Sequence, residues 1–438
     1  MAGRRAFDLA IQGGHVAVRR AIMPGGIEKD MSTAARRGSP LLEAATGGDL
    51  AKVREHSGSR GIDEPVENGV TALMTASFGN HHAVVEFLLS KGASIERTSE
   101  NKATALHMAA AEGSVDVMPL LMENKADVGA QDKQGLTPLI YAANNGRVDA
   151  IRQLCTDHGA SIEFVQKADE KGSAVGRTAL HWAAAMGQAK SVDMLLDLLK
   201  ADDEALRRAL RATDDKRKAT PLGLACSMGV CEIAQSLLKA NSEINHSNKV
   251  GATPLIEAAD GGHEQVVQLL LEPGRGALVD KLDGSNMSAL MTACAARRTR
   301  TMRLLLDGRA AVDLRGDTGK TALLIACVKG YEDCVRVLIE HGASIDLADD
   351  NDLLPMAAAR RHNDTVLVQT ILHATEGEGS YDEGKLITGA RAPAVDPVHA
   401  WKESKGAKLL RDLAALAAKN KEHFPAGRDG RTMLTAGL

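Results

Sequence analysis

Gly316-Asp317-Thr318-Gly319-Lys320-Thr321 ends in the Gly-Lys-Thr order of a phosphate-binding loop. That loop needs an earlier glycine where this chain has Leu314, and a strand leading into it. Cys226, Cys294 and Cys327, three of six cysteines, each follow a Thr or Ser by six residues, at a position where comparable segments carry Ala. Stacked helices lie about 8–10 Å apart, whereas a disulfide needs Cα atoms closer than about 7 Å. Cys155, Cys231 and Cys334 lack metal-like pairing. His107 and His181 each close a Thr-Ala-Leu-His run. No nucleophile sits at meaningful spacing from a base, and no dinucleotide fingerprint or metal set is present. These residues are expected to pack, not react, so catalytic residues, cofactor and metal are all assigned as none.

The segments that carry them repeat. A Thr or Ser, a small residue or Pro, and a Leu open successive units at Ser39, Thr71, Thr104, Thr137, Thr178, Thr220, Thr253, Ser288 and Thr321, with a degenerate opener at Leu354. From Thr71 onward the openers step by 33, 33, 41, 42, 33, 35, 33 and 33 residues. A fixed period near 33 residues means stacked supersecondary units. The opener is placed as a helix N-cap, and Pro after it loses nothing because its missing N–H would be unpaired there anyway. Gly48, Gly113, Gly146, Gly187, Gly229, Gly262 and Gly330 follow their openers by nine residues, as does Gly14 if a first unit opens at Arg5. Glycine there fits a left-handed turn between two helices. Leu88-Leu89, Leu195-Leu196, Leu237-Leu238, Leu270-Leu271 and Leu305-Leu306 then give the second helix an apolar stripe that only a neighbouring unit can bury.

This repeat resembles the ankyrin repeat family, from about residue 5 to about residue 373. The resemblance implies an all-α solenoid of about ten or eleven helix-turn-helix units with β-turn fingers. It further implies structural roles for His107 and His181. Asn245 matches a position that an asparaginyl hydroxylase can modify in such proteins; its other reading is a turn residue.

Residues 1–36 are expected to form a degenerate capping repeat. Arg4, Arg5, Arg19 and Arg20 also leave a mitochondrial transit peptide open. The array proper is set at 37–373, with insertions near 164–176 and 200–215. At the second, the helix is expected to run on through Asp202-Asp203-Glu204 into Ala205–Leu210. A flexible linker is assigned to 374–398, an amphipathic helix to 399–422 and a disordered tail to 423–438. The helix would cap the last repeat, dock a partner or lie on a membrane surface. Composition is 44% hydrophobic but 2% aromatic, and no apolar run approaches the roughly 20 residues of a membrane span. A net charge of -4 gives no global drive toward nucleic acid. Residence in cytoplasm or nucleus and a monomeric array are the expectations.

What remains is binding. The resemblance places the partner site on the concave face, on fingers and on the two positions before the helix-ending glycine. Phe78, Met186, Met228 and Val328 occupy the helix positions, and Val70, Leu136, Val175, Val250 and Met287 the fingers. They form either an apolar groove or packing against neighbouring fingers. Arg207, Arg208, Arg211, Lys216, Arg217 and Lys218 border the central insertion, and Arg297, Arg298, Arg300 and Arg303 cluster at a turn where Arg297 replaces the usual glycine. They form a basic rim for acidic or phosphorylated groups, or a solvated face. The insertions serve recognition or are tolerated without a role. The expected function is a non-catalytic scaffold gripping a protein or peptide. Alternatives are a substrate-recognition adaptor, for instance of a ubiquitin ligase, and a regulatory subunit of a separate enzyme.

Overall fold

In the computed structural model the described residues are 39–58, 61–65, 67–166, 176–361 and 365–376. The expected caps at 1–36, the helix at 399–422, the tail at 423–438, most of the linker and Val175 lie outside them. The chain divides into two compact units, Met1–Ala310 and Ala311–Leu438. Among the described residues both are built from helices, without a strand.

In the first unit the first helices are α1 (Pro40–Thr46), α3 (Ala72–Phe78), α5 (Ala105–Glu112), α7 (Pro138–Asn144), α9 (Ala179–Ala185), α12 (Pro221–Met228), α14 (Pro254–Gly261) and α16 (Ala289–Ala295). The second helices are α2 (Leu50–His56), α4 (His82–Ser90), α6 (Met118–Glu123), α8 (Val148–Thr156), α10 (Ala189–Leu199), α13 (Cys231–Lys239), α15 (Glu264–Leu271) and α17 (Thr299–Asp307). One extra helix, α11 (Asp203–Arg211), follows α10. First helices pack on first helices and second on second.

The openers cap as their chemistry requires. The side-chain oxygens of Ser39, Thr71, Thr137, Thr220, Thr253 and Ser288 accept backbone N–H groups three residues on. Thr104 and Thr178 add a reciprocal bond, because the imidazoles of His107 and His181 accept the opener's own N–H at 3.1 and 3.3 Å. The same rings reach the next unit, to Leu136 O at 3.0 Å and Ala219 O at 3.2 Å. Complete burial depresses both imidazoles to about 4, so they stay neutral and structural.

Each first helix then turns through a left-handed residue, Gly113 at φ 83° and Gly262 at φ 75° among them. Asn80 and Arg297 hold that conformation without being glycine, at φ 56° each. The first leucine of every pair is buried: Leu88, Leu195, Leu237, Leu270 and Leu305. In α2, where His56-Ser57 replaces the pair, only Val53 is buried. Cys226 and Cys294 are buried among the first helices, and burial pushes the Cys226 thiol up, beyond nucleophilic use.

The second insertion differs from expectation. The helix does not run on: α10 ends at Leu199, and Asp202 opens a separate helix by accepting the N–H groups of Glu204 and Ala205 at 2.9 and 3.1 Å. A strong N-cap residue in mid-segment starts a new helix in preference to extending the old one. Only Ala209 and Leu210 of α11 are buried.

The second unit holds α18 (Ala322–Lys329), α19 (Glu332–Glu340), α20 (Pro355–Arg360) and α21 (Thr365–Glu376). The Gly-Lys-Thr run is a finger and its opener: Gly319 is left-handed at φ 71°, and Thr321 Oγ1 caps α18. Leu354 offers α20 no side-chain cap. Helix α21 continues to Glu376, past the linker boundary set at 374, since Ala374, Thr375 and Glu376 include no helix breaker.

Candidate partner-binding face

Between successive hairpins the chain makes short fingers, several of them wrapped on one side-chain acceptor. Asp132 Oδ1 takes the amides of Gln134 and Leu136, both at 2.8 Å. Asp214, Asn248 and Asp283 do the same for their fingers. The fingers are then tied to one another by backbone bonds. Glu100 N reaches Asn68 O at 2.7 Å, Lys133 N reaches Asn101 O at 2.8 Å, Lys249 N reaches Arg217 O at 2.7 Å and Gly284 N reaches Val250 O at 2.8 Å. Beside the first insertion a side chain does this work: Gln166 Nε2 donates to Gln134 O at 2.7 Å.

Behind the fingers, four residues past each opener, the first helices present Tyr141, Trp182, Leu224 and Glu257 in succession. Tyr141 Oη donates to Asp132 Oδ2 at 2.8 Å, and burial raises that carboxyl above its ordinary value. Trp182 Nε1 donates to Gln166 Oε1 at 3.2 Å, while the Arg177 guanidinium lies 5.0 Å from the centre of its ring. Arg177 also approaches Asp214 at 3.5 Å. Glu257 accepts Arg217 Nη2 at 2.9 Å and Asn248 Nδ2 at 2.5 Å, and its burial raises its pKa. Both aromatic rings and Leu224 are buried, with their polar tips satisfied.

The apolar residues expected on this face divide by position. Val250, at a finger tip, is 59% exposed, and Phe78, Met186, Met228 and Met287 are half-buried. Met186 packs over Ala185, Ala219 and Leu224. Val328, 44% exposed, belongs to α18 of the second unit. Leu136 corrects the expectation, being 1% exposed, and Val70 corrects it likewise. At this position, just before an opener, Ala103, Ala219 and Ala252 are buried too, whereas Met287 stays half-buried. Leu136 is therefore core, not contact surface. Arg177 occupies the same position, which is why a guanidinium lies half-buried against Trp182.

The basic rim also divides. Arg208 grips Glu163 with two bonds, 2.8 and 3.2 Å, and both Arg207 and Arg208 lie near Glu204 at 3.7 and 3.8 Å. This is an ion-pair network pinning α11, whose arginines line a shallow cleft with Glu204 and Ala212. Arg211 and Lys216 are exposed, and Arg217 is engaged by Glu257. Arg297 sits at the left-handed turn, and Arg300 lies 3.8 Å from Glu264. Arg298 Nε donates to Asp260 O at 3.2 Å, so it links repeats.

That link is one of a row that sequence reasoning missed. The residue ten past the opener reaches back to the end of the previous first helix. Ser114 bonds Phe78 O at 3.0 Å, Arg147 bonds Ala111 O at 3.1 Å and Gln188 bonds Asn144 O at 3.2 Å. His81 meets Thr46 O at 2.9 Å and His263 meets Ser227 O at 3.0 Å. Long or hydroxyl donors recurring right after the turn glycine are the signal that would have revealed it. Asn245 likewise holds a turn, donating to Gly276 O at 2.8 Å and accepting Leu278 N at 2.9 Å.

Comparison with known proteins agrees with this construction. A family model described as ankyrin repeats (3 copies) matches residues 34–132, 106–207, 198–281 and 275–349. Ankyrin repeat and KH domain-containing protein mask-1 of Caenorhabditis elegans is 31% identical over 37% of this chain. The human Ankyrin repeat and KH domain-containing protein 1 is 32% identical over 24% of it, and the human Transient receptor potential cation channel subfamily A member 1 is 35% identical over 30%. The chain spans only 6%, 4% and 11% of those proteins' lengths. Among the described residues no helix is long and apolar enough to cross a membrane. Ankyrin repeats are in general protein–protein interaction modules. The all-α hairpins, the wrapped fingers and the match over residues 34–349 lead to one assignment: this chain belongs to the ankyrin repeat family.

Proposed function

We propose that the chain is a non-catalytic interaction scaffold that holds a partner protein on the finger face of its first unit, centred on the repeats opened by Thr178, Thr220 and Thr253. One observation carries this reading. Met186 and Met228 remain partly open on consecutive first helices, Met186 packing over Ala185, Ala219 and Leu224, and Val250 on the following finger is exposed. Methionine there offers adaptable apolar surface on rigid backing, which limits the ordering cost of binding.

Affinity capture from native lysate tests it. The wild type is compared with the double variant Met186→Glu/Met228→Glu, and with Leu278→Glu at an exposed site elsewhere, after circular dichroism shows that all three fold. Loss of a defined partner set from the double variant alone is the expected outcome. Equal recovery by all three would move binding off this face.

A further inference from the structure

Resting on that reading, we propose that the segment seated on this face is an acidic, extended peptide of a partner protein. Its apolar side chains would meet Met186 and Met228, and its carboxylates would face the tips of the fingers beside them.

The argument is one of charge left over after internal pairing. The tips of the described fingers from Lys133 to Gly251 carry Lys133, Lys216, Arg217, Lys218 and Lys249 against one exposed carboxylate, Asp215, while a second, Glu243, stands six residues before Lys249. Asp215 is matched by Lys218 at 3.3 Å. The other carboxylates are consumed within the fold. Asp132 and Asp214 are buried and wrap their own turns, and Glu257 is buried under Arg217 and Asn248. Lys133, Lys216 and Lys249 are exposed and form no ion pair among the described residues. Neighbouring stretches of the first unit lack this bias. The finger before carries Glu100 beside Lys102, and the finger after, Gly284-Ser285-Asn286, is uncharged.

Geometry favours an extended chain. The Lys249 amide bonds the Arg217 carbonyl at 2.7 Å, which holds the Lys216–Lys218 and Lys249 tips on adjoining fingers. Val250 stands exposed next to Lys249, so an apolar group borders the cationic tips. An occupant that carries apolar side chains beside its carboxylates matches that pairing. Nucleic acid fits less well, because Tyr141 and Trp182 are buried and offer no open ring face for base stacking.

Selection of short random displayed peptides on the immobilised full chain tests the proposal. The best sequence is then synthesised, labelled and titrated by fluorescence anisotropy against wild type, Lys216→Glu/Lys249→Glu, the milder Lys216→Gln/Lys249→Gln, and Met186→Glu/Met228→Glu. The expected result is enrichment of Asp and Glu beside Leu, Met or Phe, with affinity about tenfold weaker for the lysine-to-glutamate pair and less reduced for the glutamine pair. Affinity should also fall with added salt. Peptides that need Met186 and Met228 but show neither acidic enrichment nor lysine dependence would overturn this inference and leave the binding face standing. Peptides indifferent to both pairs, or no selected peptide, would overturn both. Tighter, lysine-dependent binding of a single-stranded DNA oligonucleotide would overturn the choice of a peptide.

Discussion

Arg217 reaches from a finger tip to Glu257, its Nη2 lying 2.9 Å from a carboxylate oxygen that is otherwise withdrawn from solvent. Neighbouring repeats fill the position of Glu257 with Leu224, Trp182 and Tyr141. An ion pair between a half-exposed guanidinium and a largely buried carboxylate here ties the finger to the helix of the next repeat.

Burial raises the Glu257 pKa above its ordinary 4.5. A carboxyl so raised favours the fold while protonated, and that contribution is lost as pH rises through the folded-state value. Glu257→Gln keeps an oxygen for Arg217 and Asn248 and removes the buried charge. It should therefore raise stability at pH 8 by about 1 kcal/mol and change little at pH 4. Urea unfolding at the two pH values measures this; a loss of stability at pH 8 would show that the ion pair outweighs its desolvation.

His107 and His181 are depressed from 6.5 to about 4 by burial. The unfolded chain takes up protons below 6.5 while the folded chain does not, so their contribution is complete above that pH and is lost as pH falls through 4. Each accounts for about 3 kcal/mol across that window. Replacing both with Gln should lower stability at pH 7 and flatten its decline between pH 6.5 and 4, read from urea midpoints.

Gly251 and Arg297 test the left-handed positions from opposite sides. Gly251 has φ 79°, and a Cβ there would collide with the backbone of Asp283 and Gly284. Gly251→Ala should cost about 2 kcal/mol or more, and it should loosen the finger ladder. Arg297→Gly removes a side chain from a φ of 56° and should stabilise by about 1 kcal/mol. Thermal melts of the two variants should shift in opposite directions.

The double bond from Arg208 to Glu163 holds α11 to the preceding repeat from an exposed site. Glu163→Gln should speed amide exchange within Asp203–Arg211 and leave the global melting temperature unchanged. Unaltered exchange would mean that Ala209 and Leu210 alone seat the helix.

Much of this was legible in the residues themselves. Thr-Pro-Leu openers, turn glycines and leucine pairs are local signals, and Thr253, Gly262 and Leu270 each do what their chemistry implies. The site was less legible because exposure depends on which side of a finger a residue faces. Leu136 and Val250 read alike in sequence, yet one enters the core and the other meets solvent. Arg208 and Lys216 read as one basic cluster, but pairing with Glu163, distant in sequence, neutralises the first and not the second. Asp202 is visible as an N-cap residue, but the run of helix formers around it reads in sequence as one continuous helix, whereas in the fold it caps a new one.

The most direct test of the binding face is amide hydrogen exchange of the full chain, with and without the partner recovered by capture. Slower exchange confined to the fingers around 214–219 and 248–252 and to helices α9 and α12 is the predicted result. Protection confined to the second helices α10, α13 and α15, with those fingers unchanged, would contradict it.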